Sequence, residues 1–287
     1  MKFRFVQEHR GTFRVGMMCR VLKVSRSGYY AWRKREPSLR ELEDRRHAKT
    51  IREVYRESRG TYGSPRIYAA LQQTGTPCGK HRIARIMREE GLRGRAARRF
   101  RSVSTKRSDA AAPPNRLAGD FTASKPNQVW VGDLTQVRTR EGWLFLAILL
   151  DLYSRKIVGY ATARRPEQEL ALSALGMAIA TRRPEPGLLH HTDRGGQYLS
   201  GEYQDQLDQH GIVCSMSAPG RYQDNAVAES FFHTLKAEWI YHFDFTTREQ
   251  ARLAIFDYVE GFYNPSRLHS TLDYRSPDEY ERMSSAA

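Results

Sequence analysis

Cysteine is scarce in this sequence, and no long hydrophobic run occurs in it. The three cysteines among 287 residues, Cys19, Cys78 and Cys214, lie far apart and form no paired motif. The sequence therefore predicts neither a disulfide framework nor a cysteine-based zinc site. No apolar stretch reaches the ~18 residues that a transmembrane helix needs, and the amino terminus lacks the pattern of a secretory signal. We therefore expect a cytoplasmic protein.

Acidic residues are too few to balance the basic ones. The chain has 47 Lys and Arg against 32 Asp and Glu, a net charge of +15. The excess lies in residues 1–108, which carry +20, whereas residues 109–287 carry −5. A strongly basic region commonly has a polyanionic partner, so we expect residues 1–108 to bind nucleic acid. An RNA-binding protein would show a similar net charge.

Two short helices separated by a turn are predicted in residues 13–35. Met18 and Cys19 fall on the apolar face of the first helix, and Ser25 can cap the second. This order is typical of a helix-turn-helix. The second helix would present a mixture of basic and aromatic side chains to DNA, namely Arg26, Tyr29, Tyr30 and Arg33. Tyr30 and the neighbouring Trp32 could equally anchor the core.

A second helix-turn-helix is predicted in residues 62–95, after a charged helix over residues 38–58. The turn is marked by the glycine-rich and proline-containing residues 75–79. A basic tail follows in residues 93–101 and suggests either phosphate contact or a solvated segment. The candidates for DNA contact in this region are Arg66, Lys80, Arg82, Arg98, Arg99 and Arg101.

Beyond residue 124 the periodicity changes from helical to that of β-strands. Three strands joined by short turns are predicted at residues 128–137, 143–151 and 156–163, which indicates an antiparallel meander. Helices and strands then alternate, and a last helix is predicted from about Asn225. This order is typical of an α/β protein with an RNase H-like domain after an all-α helix-turn-helix region. The expected boundaries are 1–48 for the first helix-turn-helix region, 49–108 for the second with its basic tail, 109–124 for a linker and 125–285 for the RNase H-like domain.

Three carboxylates are candidates for one site. Asp133 interrupts the first strand, Asp193 follows the fourth strand, and Glu229 lies in the last helix on the same polar face as Lys236. A single Asp or Glu, taken alone, is more often a surface residue or a helix cap than part of a site. Together they would make an oxygen-rich site suited to Mg²⁺ or Mn²⁺. Two such ions ~4 Å apart can promote an in-line phosphoryl transfer.

Local sequence strings carry a resemblance to a known family. Asp193 and Glu229 are separated by 35 residues, and further strings occur in fixed order: PNQVWVGDLT at 126–135, HTDRGGQY at 191–198, DNAVAESFF at 224–232, YNPSRLH at 263–269, SP at 276–277 and YGSPR at 62–66. With these strings the chain resembles an OrfB-type transposase of the third insertion-sequence family. That family is a branch of the DDE transposases and retroviral integrases, and the resemblance covers nearly the whole chain.

The resemblance implies a Mg²⁺-dependent DNA transposase, a polynucleotidyl transferase that acts in DNA transposition, integration and recombination. Asp133, Asp193 and Glu229 would be both the catalytic residues and the ligands of two Mg²⁺ or Mn²⁺ ions. The residues that would contact DNA around them are Lys236, Arg194, Gln197, Tyr198 and Asn225. The implied partners are the terminal inverted repeats and a target in double-stranded DNA, further copies of this chain, and an upstream-frame protein as fusion or partner. The implied location is the bacterial cytoplasm, in association with the nucleoid.

Two other functions stay open at this point. One is an RNase H-type nuclease of the same fold, and the other is a DNA-binding regulator without catalysis. The basic helical region favours the transposase over the nuclease. Three facing carboxylates argue against the regulator, because they repel phosphate unless a metal ion intervenes.

Overall fold

The computed structural model of the chain describes residues 2–95, 113–218 and 225–284. Contacts between Cα atoms divide the chain into two compact units, Met1–Thr50 and Ile51–Ala287, with the boundary inside a long helix. In the described ranges, no helix combines the length and the apolar composition that crossing a membrane requires.

The first unit is helical. Its helices are α1 (Lys2–Glu8), α2 (Val15–Val21), α3 (Arg26–Lys34) and the first part of α4 (Leu39–Glu57). The two helices predicted in residues 13–35 are therefore present as α2 and α3, whereas α1 was not predicted. Met18, Cys19 and Tyr29 are buried together with Val6 of α1. Ser25 caps α3 as expected, because its hydroxyl accepts a 3.0 Å hydrogen bond from the Gly28 amide.

A helix-turn-helix opens the second unit after the end of α4. It consists of α5 (Ser64–Gln73) and α6 (Lys80–Glu89). The apolar stripes predicted from the sequence form its core: Ile67, Leu71, Ile83 and Ile86 are all almost completely buried. We call residues 59–95, which include both helices, the α5–α6 module.

A mixed sheet of five strands is the centre of the second unit. The strands are β1 (Val129–Thr139), β2 (Gly142–Asp151), β3 (Ile157–Ala163), β4 (Leu189–Thr192) and β5 (Val213–Met216). Their order in the sheet is β3-β2-β1-β4-β5. The first three strands pair antiparallel, as predicted, while β4 pairs parallel to β1 and β5 pairs parallel to β4. This mixed sheet is the RNase H-like arrangement expected from the element order.

Helices cover both faces of this sheet. One face packs on α7 (Gln168–Arg182) and α8 (Gly201–Gln209), with Trp130, Ala147 and Leu149 among the buried side chains. A Cβ on Gly159 of β3 would lie 2.3 Å from the Ala174 carbonyl oxygen of α7, so this close packing requires glycine. On the other face α9 (Ala226–Glu238) contacts β1.

The carboxyl-terminal part holds more helices than the sequence predicted. The prediction ended with one helix from about Asn225, but α9 is followed by α10 (Arg248–Tyr258), a π-helical turn (Val259–Tyr263), α11 (Asn264–Ser266) and α12 (Pro277–Ser284). A signal for α10 was available, because Thr247 and Gln250 form a capping box at its start. Between β4 and α8, residues 196–198 form a separate 3₁₀ turn.

Candidate active site

The tertiary structure places the three predicted carboxylates around the central strand of the sheet. Asp133 lies within β1, opposite Ile148 of β2. Asp193 directly follows β4, and β1 and β4 run parallel with Val131 opposite His191, so the two aspartates follow this pair at the same level. Glu229 lies in the first turn of α9, the helix that contacts β1.

The three carboxylates affect one another electrostatically. Burial raises the pKa of Asp133 well above its ordinary value, and the charges of Asp193 and Glu229 raise it further. The Leu134 amide, which donates a 2.8 Å hydrogen bond to Asp133, and the Lys236 ammonium oppose this rise only in part. The pKa of Glu229 is raised by burial and by Asp193. Burial and the neighbouring acids thus disfavour the ionised form of Asp133 in the metal-free protein.

Lys236 reaches the same site from α9. Its Nζ donates a 2.6 Å hydrogen bond to the Thr135 hydroxyl. Burial lowers the pKa of Lys236, while the charge of Asp133 raises it. Thr135 was not selected from the sequence, although it stands two residues after Asp133 and therefore on the same face of the strand.

The loop after β4 is held by hydrogen bonds around Asp193. The Gly195 amide donates to Asp193 Oδ1 at 3.0 Å, and Arg194 Nε donates to the Ser217 carbonyl oxygen at 3.0 Å. Arg194 and Gln197 are partly exposed beside the carboxylate. These contacts fix the direction in which Asp193 leaves the sheet, and contact of Arg194 and Gln197 with DNA stays a prediction.

Tyr198 and Asn225 lie inside the protein. Tyr198 is 2% exposed, and burial together with the charges of Asp193 and Asp133 raises the pKa of its phenol well above the ordinary value. Asn225 is 5% exposed, and its Nδ2 donates to the Gly132 carbonyl oxygen at 3.2 Å. Both side chains therefore support the site from within. In this conformation, Tyr198 and Asn225 are too buried to contact DNA.

The donor set suits a hard divalent cation in its chemistry. All three carboxylates offer oxygen ligands, and their mutual repulsion would be relieved by a cation between them. Across residues 2–95, 113–218 and 225–284, no three His, Cys, Asp or Glu side chains are close enough together to hold a metal ion. Glu229 is the most exposed of the three carboxylates.

Comparison with known proteins supports this architecture. Two family models described as "Integrase core domain" match residues 123–222 and 229–284, and a model described as "HTH-like domain" matches residues 41–100. The chain is 41% identical over 288 residues to Transposase InsF for insertion sequence IS3A of Escherichia coli (strain K12), with all of both chains covered. The chain belongs to the IS3 family of transposases.

A second relative and two solved structures extend this comparison. The IS3-family chain is 43% identical to the Insertion element IS600 uncharacterized 31 kDa protein of Shigella sonnei, over 93% of this chain and 99% of the relative. It is similar to a simian T-cell lymphotropic virus intasome structure at a TM-score of 0.47 and 19% identity, over 74% of this chain and 69% of that one. An HTLV-2 integrase catalytic core domain in complex with magnesium gives a TM-score of 0.42 and 18% identity, over 55% and 97%.

The predicted DNA contacts of the first unit separate into surface and core positions. Arg26 and Arg33 of α3 are exposed, so both can reach a partner of this IS3-family transposase. Tyr29 is fully buried, and its hydroxyl donates a 2.7 Å hydrogen bond to Gln7. Tyr29 therefore anchors the core, whereas Tyr30 and Trp32, which the sequence left open, are partly exposed at 39% and 40%.

The predicted contacts of the α5–α6 module also differ among themselves. Lys80 is exposed, with its Nζ 4.9 Å from the ring centroid of Tyr68, and Arg82 is partly exposed. Arg66 instead turns inward and pairs with the buried Glu238 at 3.3 Å. The contacts of Lys80 and Arg82 with DNA stay predictions, as do those of Arg98, Arg99 and Arg101, which lie outside the described residues.

Proposed function

We propose that this IS3-family transposase cuts DNA at the ends of its insertion sequence and joins the exposed 3′-hydroxyl to another phosphodiester. The observation that carries the proposal is that Asp133 and Asp193 lie at the same level of the paired strands β1 and β4, where burial and the charges of Asp193 and Glu229 raise the pKa of Asp133. A cluster of this kind facing a polyanion needs a cation as mediator. The integrase core descriptions and the transposase names of the relatives support the same reading.

The proposal includes Mg²⁺ or Mn²⁺, as two ions held by the three carboxylates. Such ions, when bound, stabilise the attacking and the leaving oxygen of an in-line displacement. Asp133 must be ionised to serve as a ligand, and burial and Asp193 favour its protonated form. Metal affinity should therefore rise with pH as this proton is released.

The surrounding residues would position DNA in each of two displacements. In the first, a water oxygen bonds to phosphorus, the bond to the 3′-oxygen breaks, and that oxygen takes a proton. In the second, the freed 3′-oxygen bonds to the phosphorus of a target strand and displaces the 3′-oxygen there. Lys236, whose ammonium group is held beside Asp133 by Thr135, would pair with a phosphate at this point. One phosphodiester is formed for each one broken in the second step.

The proposed partners are double-stranded DNA and further copies of the chain. The +20 charge of residues 1–108 supports phosphate binding by both helical regions, with Arg26, Arg33, Lys80 and Arg82 at their surfaces. Two ends of one element must be held together for joining, so we propose an oligomer on DNA. An upstream-frame protein would act as fusion or partner. The nucleoid in the bacterial cytoplasm is then the place of action.

The decisive experiment is strand transfer by the purified full chain on a labelled duplex that carries the element's own end. The reaction is run with Mg²⁺ or EDTA, for the wild type, Glu229→Gln and the control Glu202→Gln. Glu202 is an exposed acid of α8 that bonds only with Gln168 in the described contacts. We expect joined products with Mg²⁺ from the wild type and the control, and none from Glu229→Gln.

The other outcomes separate the alternatives. Tight binding of the duplex without cleavage by any variant would indicate a regulator, or a chain that needs its upstream partner. Cleavage of an RNA–DNA hybrid in place of the DNA duplex would indicate the nuclease. Equal activity of the wild type and Glu229→Gln would refute the assignment of the carboxylates.

A further inference from the structure

A buried cluster of charges lies at the carboxyl end of α9, away from the three carboxylates. Glu238, the last residue of α9, is 4% exposed. Arg267 binds it through two hydrogen bonds, of 2.7 Å from Nε and 2.6 Å from Nη2. The Tyr258 hydroxyl donates to it at 3.0 Å, and Arg66 of α5 approaches to 3.3 Å.

Helix stability alone does not account for this carboxylate. A negative charge at the carboxyl end of a helix is disfavoured by the helix dipole, and its burial is costly unless cations pair with it. Burial by itself would lower the pKa of Arg267, but the hydrogen bonds with Glu238 raise it above its ordinary value. The partners of Glu238 come from separate elements, so the cluster acts as a junction.

One side of this junction belongs to the α5–α6 module. Besides Arg66, the module contributes Arg95, whose Nη1 donates to the Glu238 carbonyl oxygen at 2.7 Å. Tyr62 accepts a 2.7 Å hydrogen bond from the Leu268 amide. Arg59 donates two hydrogen bonds to the Asp257 carboxylate, of 2.6 and 2.9 Å. The module is therefore bound to the elements around the end of α9 by several independent contacts.

The other end of α9 belongs to the candidate active site. Asn225, the residue before the helix, donates a hydrogen bond to the Gly132 carbonyl oxygen, and the charge of Asp193 acts on Glu229 in the first turn. Lys236 in the last turn also reaches this site, through its hydrogen bond with Thr135. The 13 residues of α9 form one helix ~20 Å long, so Glu238 and the residues that reach the active site lie on one continuous element. The two strings of residues 62–66 and 263–269 meet at its far end.

We propose that Glu238 is a positioning residue, which fixes the α5–α6 module to α9 so that DNA held by the module is presented to Asp133, Asp193 and Glu229 in one register. The inference rests on the proposed function of that site. Loss of the junction should leave DNA affinity nearly unchanged, because Glu238 is too buried to contact DNA itself. Loss of the junction should instead slow DNA cleavage and allow cleavage at additional positions along the strand.

The test compares Glu238→Gln and Tyr258→Phe with the control Arg140→Gln. Arg140 forms a guanidinium–carboxylate pair with Asp244 at the exposed surface of the same unit. Binding of the labelled end duplex and single-turnover cleavage with Mg²⁺ at saturating DNA are measured for each. We expect Glu238→Gln to keep Kd within about threefold of the wild type, to cut at least tenfold more slowly and to cleave at additional positions. Tyr258→Phe, which removes one hydrogen bond only, should show a smaller loss of rate and keeps the test informative if Glu238→Gln does not fold.

Hydrogen exchange of α9 provides a measurement that does not depend on catalysis. Duplex binding should slow amide exchange in α9 of the wild type and of Arg140→Gln, and less so in the Glu238 and Tyr258 variants. If these variants fold, cut at the wild-type rate and position, and show the wild-type protection, the positioning role is refuted. Absence of cleavage by every protein together with intact α9 protection in the wild type would refute the proposed function but support the junction.

Discussion

Replacement of Arg267 by methionine should destabilise the second unit strongly. Arg267 and Glu238 have side chains only 4% and 6% exposed, so little solvent screens the pair. Removing one partner of a buried ion pair typically costs about 3–5 kcal/mol, because the other charge stays buried. In this variant, Arg66 at 3.3 Å and the Tyr258 hydroxyl at 3.0 Å still donate hydrogen bonds to the Glu238 carboxylate. We therefore expect a loss near the lower limit, about 3 kcal/mol, which corresponds to about 6–12 °C in Tm.

Thermal and urea unfolding of three variants would measure this loss. Arg140→Met removes a guanidinium of the exposed pair with Asp244, whose side chains are 66% and 73% exposed, and should change stability by less than about 1 kcal/mol. The double variant Glu238→Met with Arg267→Met removes both charges of the buried pair and leaves only the partly exposed Arg66 guanidinium without its carboxylate, so it should recover more than half of the loss. If Arg267→Met loses no more than Arg140→Met, or if the double variant is the least stable, the burial argument is incorrect.

Three further predictions concern the carboxylate site and the packing of the sheet. Burial and Asp193 raise the pKa of Asp133, so the folded, metal-free protein loses stability as the pH rises through that pKa. Asp133→Asn should therefore have a higher Tm than the wild type in EDTA at pH ~8. The difference in Tm should vanish as the pH falls toward ~4, the ordinary aspartate range. A difference in Tm that does not depend on pH would contradict this. Gly159→Ala should lower the free energy of unfolding in urea by about 1–3 kcal/mol, because the added Cβ would lie 2.3 Å from the Ala174 carbonyl oxygen. An unchanged free energy of unfolding would show that β3 and α7 separate easily. Asn264→Ala should cost about 3 kcal/mol and speed amide exchange at Ile157, because the buried Asn264 side chain accepts from the Ile157 amide and donates to its carbonyl, both at 3.0 Å. Unchanged exchange at Ile157 would contradict that role.

Short-range patterns predicted the elements well where each carries its own periodicity. The antiparallel meander was predicted because apolar alternation and tight turns are local signals, and it is present as β1, β2 and β3. The core stripes of α5 and α6 were predicted for the same reason. The helices after α9 were missed because they are short and separated by a π-helical turn, so no long stretch of regular period exists.

Side-chain environments were harder to predict than elements. Tyr29 and Arg66 have the residue types of DNA contacts, yet one is fully buried and the other pairs with Glu238. Neither outcome is encoded within their own helices. Each depends on a partner far away in the chain, which no local pattern names.

The sequence by itself indicated the charge asymmetry, the two helix-turn-helix patterns, the order of strands and helices along the chain and the three candidate acids, because composition, periodicity and short sequence strings can be read without the fold. Only the tertiary structure decided that Asp133 and Asp193 lie at the same level, through the parallel pairing of β1 with β4. It alone decided that Glu238 joins the α5–α6 module to the helix of Glu229. Those relations join residues that are 60 and 172 positions apart, and packing of the chain in space, not any local preference, establishes them.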